Sequence, residues 1–244
     1  MNITKNMKMA DLVHLNHLLI PVINRFNIKL GFGDATIEEI CSGKKINVDF
    51  FIEVTNSYHD NEYFPQEHLQ TFSITLIVEY LKKTHQYYLE VKIPEIETLI
   101  NELVDRCYPD NKNIELVRKF FNEYKIEFRN HLKREDEIVF PYALEVEKHF
   151  QSKQLSDNAR EKISSYSIDE YKREHDDVEE KLFDLKNIII KYLHSPKDDQ
   201  LCFKVLNELF FLENDLNNHA NIEDKVMVPK VKKMENSLNK LLKI

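Results

Sequence analysis

His131-Leu132-Lys133-Arg134-Glu135-Asp136-Glu137-Ile138-Val139-Phe140-Pro141 and, later in the chain, His219-Ala220-Asn221-Ile222-Glu223-Asp224-Lys225-Val226-Met227-Val228-Pro229 follow one pattern. Each reads His-x-x-x-Glu-Asp, then apolar residues, then a proline ten positions after the histidine. Residues four apart lie on one helix face, so each copy offers a ring nitrogen and a carboxylate oxygen side by side. The flanking sequence carries apolar stripes at helical spacing. In one segment the stripe is Tyr124, Phe128, Ile138 and Tyr142, and in the other Val205, Leu209, Leu212, Leu216 and Val226. Two further stripes are Val78, Leu81, Leu89, Ile96 and Leu99, and Val178, Leu182, Leu185 and Ile189. Breakers at Tyr108-Pro109-Asp110-Asn111, between Gln151 and Ser167, and at His194-Ser195-Pro196-Lys197 separate the four segments, and Ser167 with Glu170 is a capping signal for the third. Four stripes on four long helices predict an up-and-down four-helix bundle over residues 72–244.

Composition agrees with an all-α chain. Of 244 residues only Gly31, Gly33 and Gly43 are glycine, so phosphate-binding glycine loops and hairpin-rich β architectures have no place after residue 43. The first 64 residues read as a small helical domain. It holds the apolar run Leu18-Leu19-Ile20-Pro21-Val22-Ile23, the turn Leu30-Gly31-Phe32-Gly33-Asp34 and a short helix over Ala35 to Cys41, and Asn61 to Thr71 links it to the bundle. With 6 basic and 8 acidic residues that domain lacks the basic stripe of a DNA reader, and the net charge of −8 makes nucleic acid a poor partner for the whole chain. No apolar run approaches the roughly 18 residues that span a bilayer, and the start of the sequence lacks the apolar core of a secretion signal, so a cytoplasmic protein without a membrane partner is expected. Cys41, Cys107 and Cys202 are far apart and in no paired motif, which predicts free or buried thiols.

Each apolar stripe is interrupted by a histidine: His85, His131, His175 and His219, separated by 46, 44 and 44 residues. In an up-and-down bundle such near-equal steps bring all four rings to one level of the core. A single histidine on an apolar stripe is ordinarily a core residue satisfied by a hydrogen bond. Four at one level with two carboxylates are another matter, since each buried polar group without a partner costs about 1–3 kcal/mol and each charge more. Metal ions remove that cost by turning every group into a ligand. Six nitrogen and oxygen donors on four helices suit two ions rather than a closed zinc tetrahedron, with Glu135 and Glu223 as bridges. Ferritin-like sites use four Glu and two His. The reversed set here carries less negative charge and suits a reactive iron pair with open positions, with manganese or zinc as alternatives.

Other polar residues near these positions have weaker claims. Glu127 is one turn before His131 and Glu174 directly precedes His175, and a solvated helix face accounts for both equally well. Asp136 and Asp224 point about 100° away from the proposed ligands, which suits outer hydrogen-bonding or surface roles. Tyr88, one turn from His85, reads first as core packing.

Single histidines on helices one and three with His-x-x-x-Glu on helices two and four resemble the hemerythrin-like di-iron domain, specifically that of the Repair of Iron Centres proteins. The similarity covers about Leu76 to Lys230 and is carried most specifically by Arg129 to Pro141 and by Glu174-His175-Asp176. Val22-Ile23-Asn24-Arg25-Phe26-Asn27-Ile28 and the glycine turn after it resemble that family's small N-terminal domain. Where the family usually has a Cys-Cys dipeptide before glycine, this chain has Gly31-Phe32-Gly33, a departure from the residues to which that domain's thiol chemistry is ascribed. The resemblance implies two non-haem iron ions held by His85, His131, Glu135, His175, His219 and Glu223, with an oxo or hydroxo group between them. It also implies a protein of nitrosative and oxidative stress that helps restore damaged iron–sulfur centres by releasing iron or by reacting with nitric oxide or oxygen. Its partners would be those diatomics and apo or damaged iron–sulfur proteins, with a homodimer left open. Oxygen-carrying hemerythrins typically use five His and two carboxylates, so the set here points away from a simple carrier. The rival readings are an oxygen or nitric oxide sensor that signals through its N-terminal domain, and a metal-free interaction bundle.

Overall fold

The computed structural model describes residues 1–108, 114–153, 166–173, 178–193 and 198–242, and every regular element among them is helical. Five short helices come first: α1 (Met9–Leu15), α2 (Ile20–Arg25), α3 (Ile37–Gly43), α4 (Val48–His59) and α5 (Gln66–Leu69). Helix α3 starts two residues later than its sequence suggests. Thr36 supplies the cap, accepting from the Glu39 amide while the Glu39 side chain accepts from the Thr36 amide.

The bundle is built from α6 (Ile74–Tyr87) and α7 (Ile93–Glu102), α8 (Glu115–Arg134) and α9 (Phe140–Ser152), α10 (Ile168–Arg173) and α11 (Val178–Asn187), and α12 (Asp199–Ile222) and α13 (Val228–Leu242). Three of the junctions are π-turns, over Tyr88–Lys92, Glu135–Val139 and Glu223–Met227, and each is followed by a proline at the second position of the next helix: Pro94, Pro141 and Pro229. A proline has no N–H for the i−4 carbonyl, and its ring pushes that carbonyl aside. The helix widens instead, so the amides of Ile93, Phe140 and Val228 reach back five residues to Tyr88, Glu135 and Glu223. The extra residue changes the phase of the helix. Ile138, placed on the apolar stripe from sequence, lies in the π-turn and is 49 % exposed, whereas Val139 and Phe140 are buried. Most other stripe residues, among them Leu81, Phe128, Leu185 and Leu216, are buried as expected, while Leu89 is partly buried against the second cluster.

Buried carboxylates cap helices from across the bundle. Glu147 of α9 accepts from the amides of Ile74 (2.6 Å) and Thr75 (2.9 Å) at the start of α6, and Glu235 of α13 accepts from the amide of Ile168 (2.8 Å) at the start of α10. The apolar interior forms two clusters. One joins the N-terminal helices to α6, α9, α10 and α13, and the other fills the opposite half between α7, α8, α11 and α12. Among the described residues no helix is long and apolar enough to cross a membrane.

Candidate metal centre

A thin polar layer lies at the seam between the two apolar clusters. His85 comes from the last turn of α6, Glu135 opens the π-turn after α8, and His219 and Glu223 flank the end of α12. All four are buried, and one donor atom from each lies within 4.8 Å of the others. The His85 and His219 Nε2 atoms are 3.2 Å apart. Glu135 Oε2 is 3.3 Å from His85 Nε2, and Glu223 Oε2 is 3.4 Å from His219 Nε2. His131, one turn before Glu135, sits at the rim with its Nε2 3.1 Å from Glu135 Oε1. The structure thus brings together five of the six residues singled out from sequence, and His175 and Glu174 lie outside the described residues.

The surroundings orient these donors. Asp136 approaches His85 Nδ1 to 3.1 Å, leaving Nε2 to face the cluster, and Phe140 stacks on the same ring. Burial disfavours charge on both rings. At His85 the hydrogen bonds of Asp136 and Glu135 outweigh it and raise the pKa to about 9. At His219 burial prevails, joined by the positive charge of His85, and the pKa falls to about 3. Burial also opposes charge on Glu135, yet the hydrogen bonds of His131 and His85 hold its carboxyl well below the usual carboxylate range. The layer favours a positive charge between its carboxylates.

The donor set fits a metal ion. Glu135 Oε2 is buried with the 3.3 Å approach of His85 Nε2 as its contact, and His219 Nδ1, on the other side of its ring, has no hydrogen-bond partner among the described residues. Imidazole nitrogen and carboxylate oxygen are the donors that iron and similar divalent metals take in helical bundles.

Two features of this layer went unnoticed in the sequence. Tyr171 of α10 places its hydroxyl 2.6 Å from Glu135 Oε1 and 3.5 Å from Glu223 Oε2, and burial raises its pKa well above the ordinary phenol value. It stands one turn before His175, which is a local signal. Arg25 of α2 enters the bundle and pairs with Asp215, one turn before His219, across 190 residues of chain, a distance at which no local pattern warns of the contact. Of the weaker candidates, Glu127 is half exposed and pairs with Lys181, while Tyr88 is fully buried with its ring 5.8 Å from that of His219.

Cys41, Cys107 and Cys202 are buried free thiols whose pKa burial raises, for Cys41 to about 11, and none belongs to the cluster. Replacing all three by alanine is expected to leave metal content unchanged. Metal analysis of the folded triple variant checks this, and metal lost without unfolding would place a thiol at the centre.

A comparison with curated proteins finds no individual match. A family description, the hemerythrin HHE cation-binding domain, matches residues 76–231, from the first turn of α6 into α13, so that it spans all five clustered residues as well as His175. With two His-x-x-x-Glu turns closing on one buried layer and that match covering more than half of its length, the chain belongs to the hemerythrin HHE cation-binding domain family, whose members bind metal ions, typically iron.

Proposed function

We propose that the chain is a cytoplasmic non-haem di-iron protein of the Repair of Iron Centres type, acting in nitrosative and oxidative stress to help restore damaged iron–sulfur centres. The observation that carries this reading is the meeting of the two His-x-x-x-Glu turns in a layer closed off from water on both sides by apolar core. His85, His131, Glu135, His175, His219 and Glu223 would hold two irons, with the two glutamates as bridges. Iron bound there supplies open coordination positions for oxygen or nitric oxide and an oxidation state that changes readily. The chain's own residues do the rest. Asp136, 3.1 Å from Nδ1 of His85, would keep the ring's Nε2 toward the irons, the carboxylates would balance the cations, and the apolar halves keep bulk water away. In this proposal residues 1–64 form a small helical unit and residues 72–244 the bundle that holds the metal. Gly31, with φ of 103°, occupies a backbone conformation that cysteine rarely adopts. Any repair activity would accordingly rest on the bundle, without a thiol pair in the glycine turn.

The full chain loaded with iron under anaerobic conditions is expected to hold about two irons and to transfer iron to an apo iron–sulfur protein. Folded chain that retains less than one iron overturns the di-iron reading. A second reading, an oxygen or nitric oxide sensor signalling through the N-terminal helices, is favoured by the Arg25–Asp215 contact, which ties α2 to the helix carrying His219. Retention of two irons with neither iron transfer nor nitric oxide turnover would favour the sensor.

A further inference from the structure

Tyr171 is fully enclosed, and its hydroxyl stands between the carboxylates that open the two π-turns. A phenol has one proton to donate, and the distances assign it to Glu135 Oε1, at 2.6 Å against 3.5 Å for Glu223 Oε2. Glu135 is then held by two donors on one oxygen, with Tyr171 joining His131, while its other oxygen faces His85. The tyrosine is itself held from a distance. Its helix is described over six residues, and Glu235 grips the start of that helix by accepting from the Ile168 amide and, at 3.3 Å, from the Ser167 hydroxyl. Tyr142 donates to the same Glu235 at 2.5 Å, so the anchor is buried and fully engaged. A line of hydrogen bonds thus runs from α13 through the start of α10 to the carboxylate layer.

We propose that Tyr171 is a positioning residue of the centre, whose O–H locks the Glu135 carboxylate in the orientation that faces Glu223 and so slows the escape of bound metal. This inference rests on the reading of Glu135 and Glu223 as metal ligands. Two carboxylates facing one another in a dry layer repel, and a neutral donor on one of them eases that repulsion without adding charge. The ring alone would fill the same space without doing so.

The test uses the full chain, loaded with ferrous iron and then mixed with a strong iron chelator, as the parent, Tyr171→Phe and Tyr171→Leu. Both variants are expected to lose iron about tenfold faster than the parent, equivalent to about 1.4 kcal/mol, while the iron-stripped Tyr171→Phe chain stays folded. Iron release from Tyr171→Phe at the parent rate, with faster release from Tyr171→Leu alone, assigns the residue to packing and overturns the proposal. A visible phenolate-to-iron charge-transfer band in the ferric parent, absent from Tyr171→Phe, makes Tyr171 a ligand and overturns it too. A parent that takes up no iron at all overturns the metal reading itself, which is a different result from a parent and a Phe variant that behave alike.

Discussion

Replacing Arg25 by methionine is expected to destabilise the chain by about 3–5 kcal/mol, the cost of leaving one partner of a buried ion pair without the other. The Arg25 side chain is 1 % exposed, and its two terminal nitrogens take both oxygens of Asp215, one of them at 2.9 Å. The guanidinium also donates to the hydroxyl of Tyr58 at 3.3 Å and lies over the ring of Tyr87 at 4.7 Å. Methionine has a similar length and fills much of the same volume, so the loss comes from the stranded carboxylate rather than from a cavity. Removing both charges, as Arg25→Met with Asp215→Leu, is expected to recover most of the stability. Urea unfolding of the iron-stripped chain at neutral pH measures this, and a loss below about 1 kcal/mol in the single variant would show that water or a neighbouring cation reaches Asp215. The same pair joins the N-terminal helices to the helix of His219, so a stability loss shared by both regions would also show that they unfold together.

Glu135→Gln and Glu223→Gln are each expected to weaken iron binding at least about 100-fold, the upper end of what outer hydrogen-bonding partners alone cost, with the bundle still folded. Each change keeps size and one acceptor oxygen but removes the charge that balances the cations. His219→Leu should also strip iron, yet leave the iron-stripped chain no less stable than the iron-stripped parent, because an apolar side chain replaces a buried ring whose Nδ1 has no hydrogen-bond partner among the described residues. Leu216→Ala, one turn away within the apolar cluster, is expected to cost about 2–5 kcal/mol through the cavity it leaves, with or without iron. Chelator competition and thermal melts on the same four variants separate ligand from packing residue. Two irons bound as tightly by both glutamine variants as by the parent would mean that the repeat reflects the fold and not a bridged metal pair.

Much of the centre is legible before any coordinates because its parts are local. His131 with Glu135 and His219 with Glu223 are one helical turn apart, and a turn is a property of a few consecutive residues. The stripes around His85 and His219 place those rings in the core for the same reason, and burial of Leu81, Leu212 and Leu216 agrees. Pro141 and Pro229 were visible as parts of the repeat, but their mechanical effect was not. A pattern drawn at 3.6 residues per turn assumes one helix geometry throughout, and the π-turn after Glu135 breaks that assumption, which is why Ile138 faces solvent. Asp136 shows the intermediate case: sequence places it off the ligand face of its own helix, and only the neighbouring helix shows that it meets His85 Nδ1.

What the amino-acid order alone determines here is the set of local periods: four apolar stripes, two His-x-x-x-Glu turns, few glycines, and hence an all-α bundle with polar side chains pointing into its core. What the tertiary structure decides is which of those side chains share a space. Tyr171 joins Glu135 across 36 residues, Ile168 meets Glu235 across 67, and Arg25 reaches Asp215 across 190. Such pairings depend on how helices are packed and phased against one another. Burial then makes them selective, because a buried carboxylate must find a donor wherever the packed chain brings one, and nothing in the spacing along the sequence names that donor in advance.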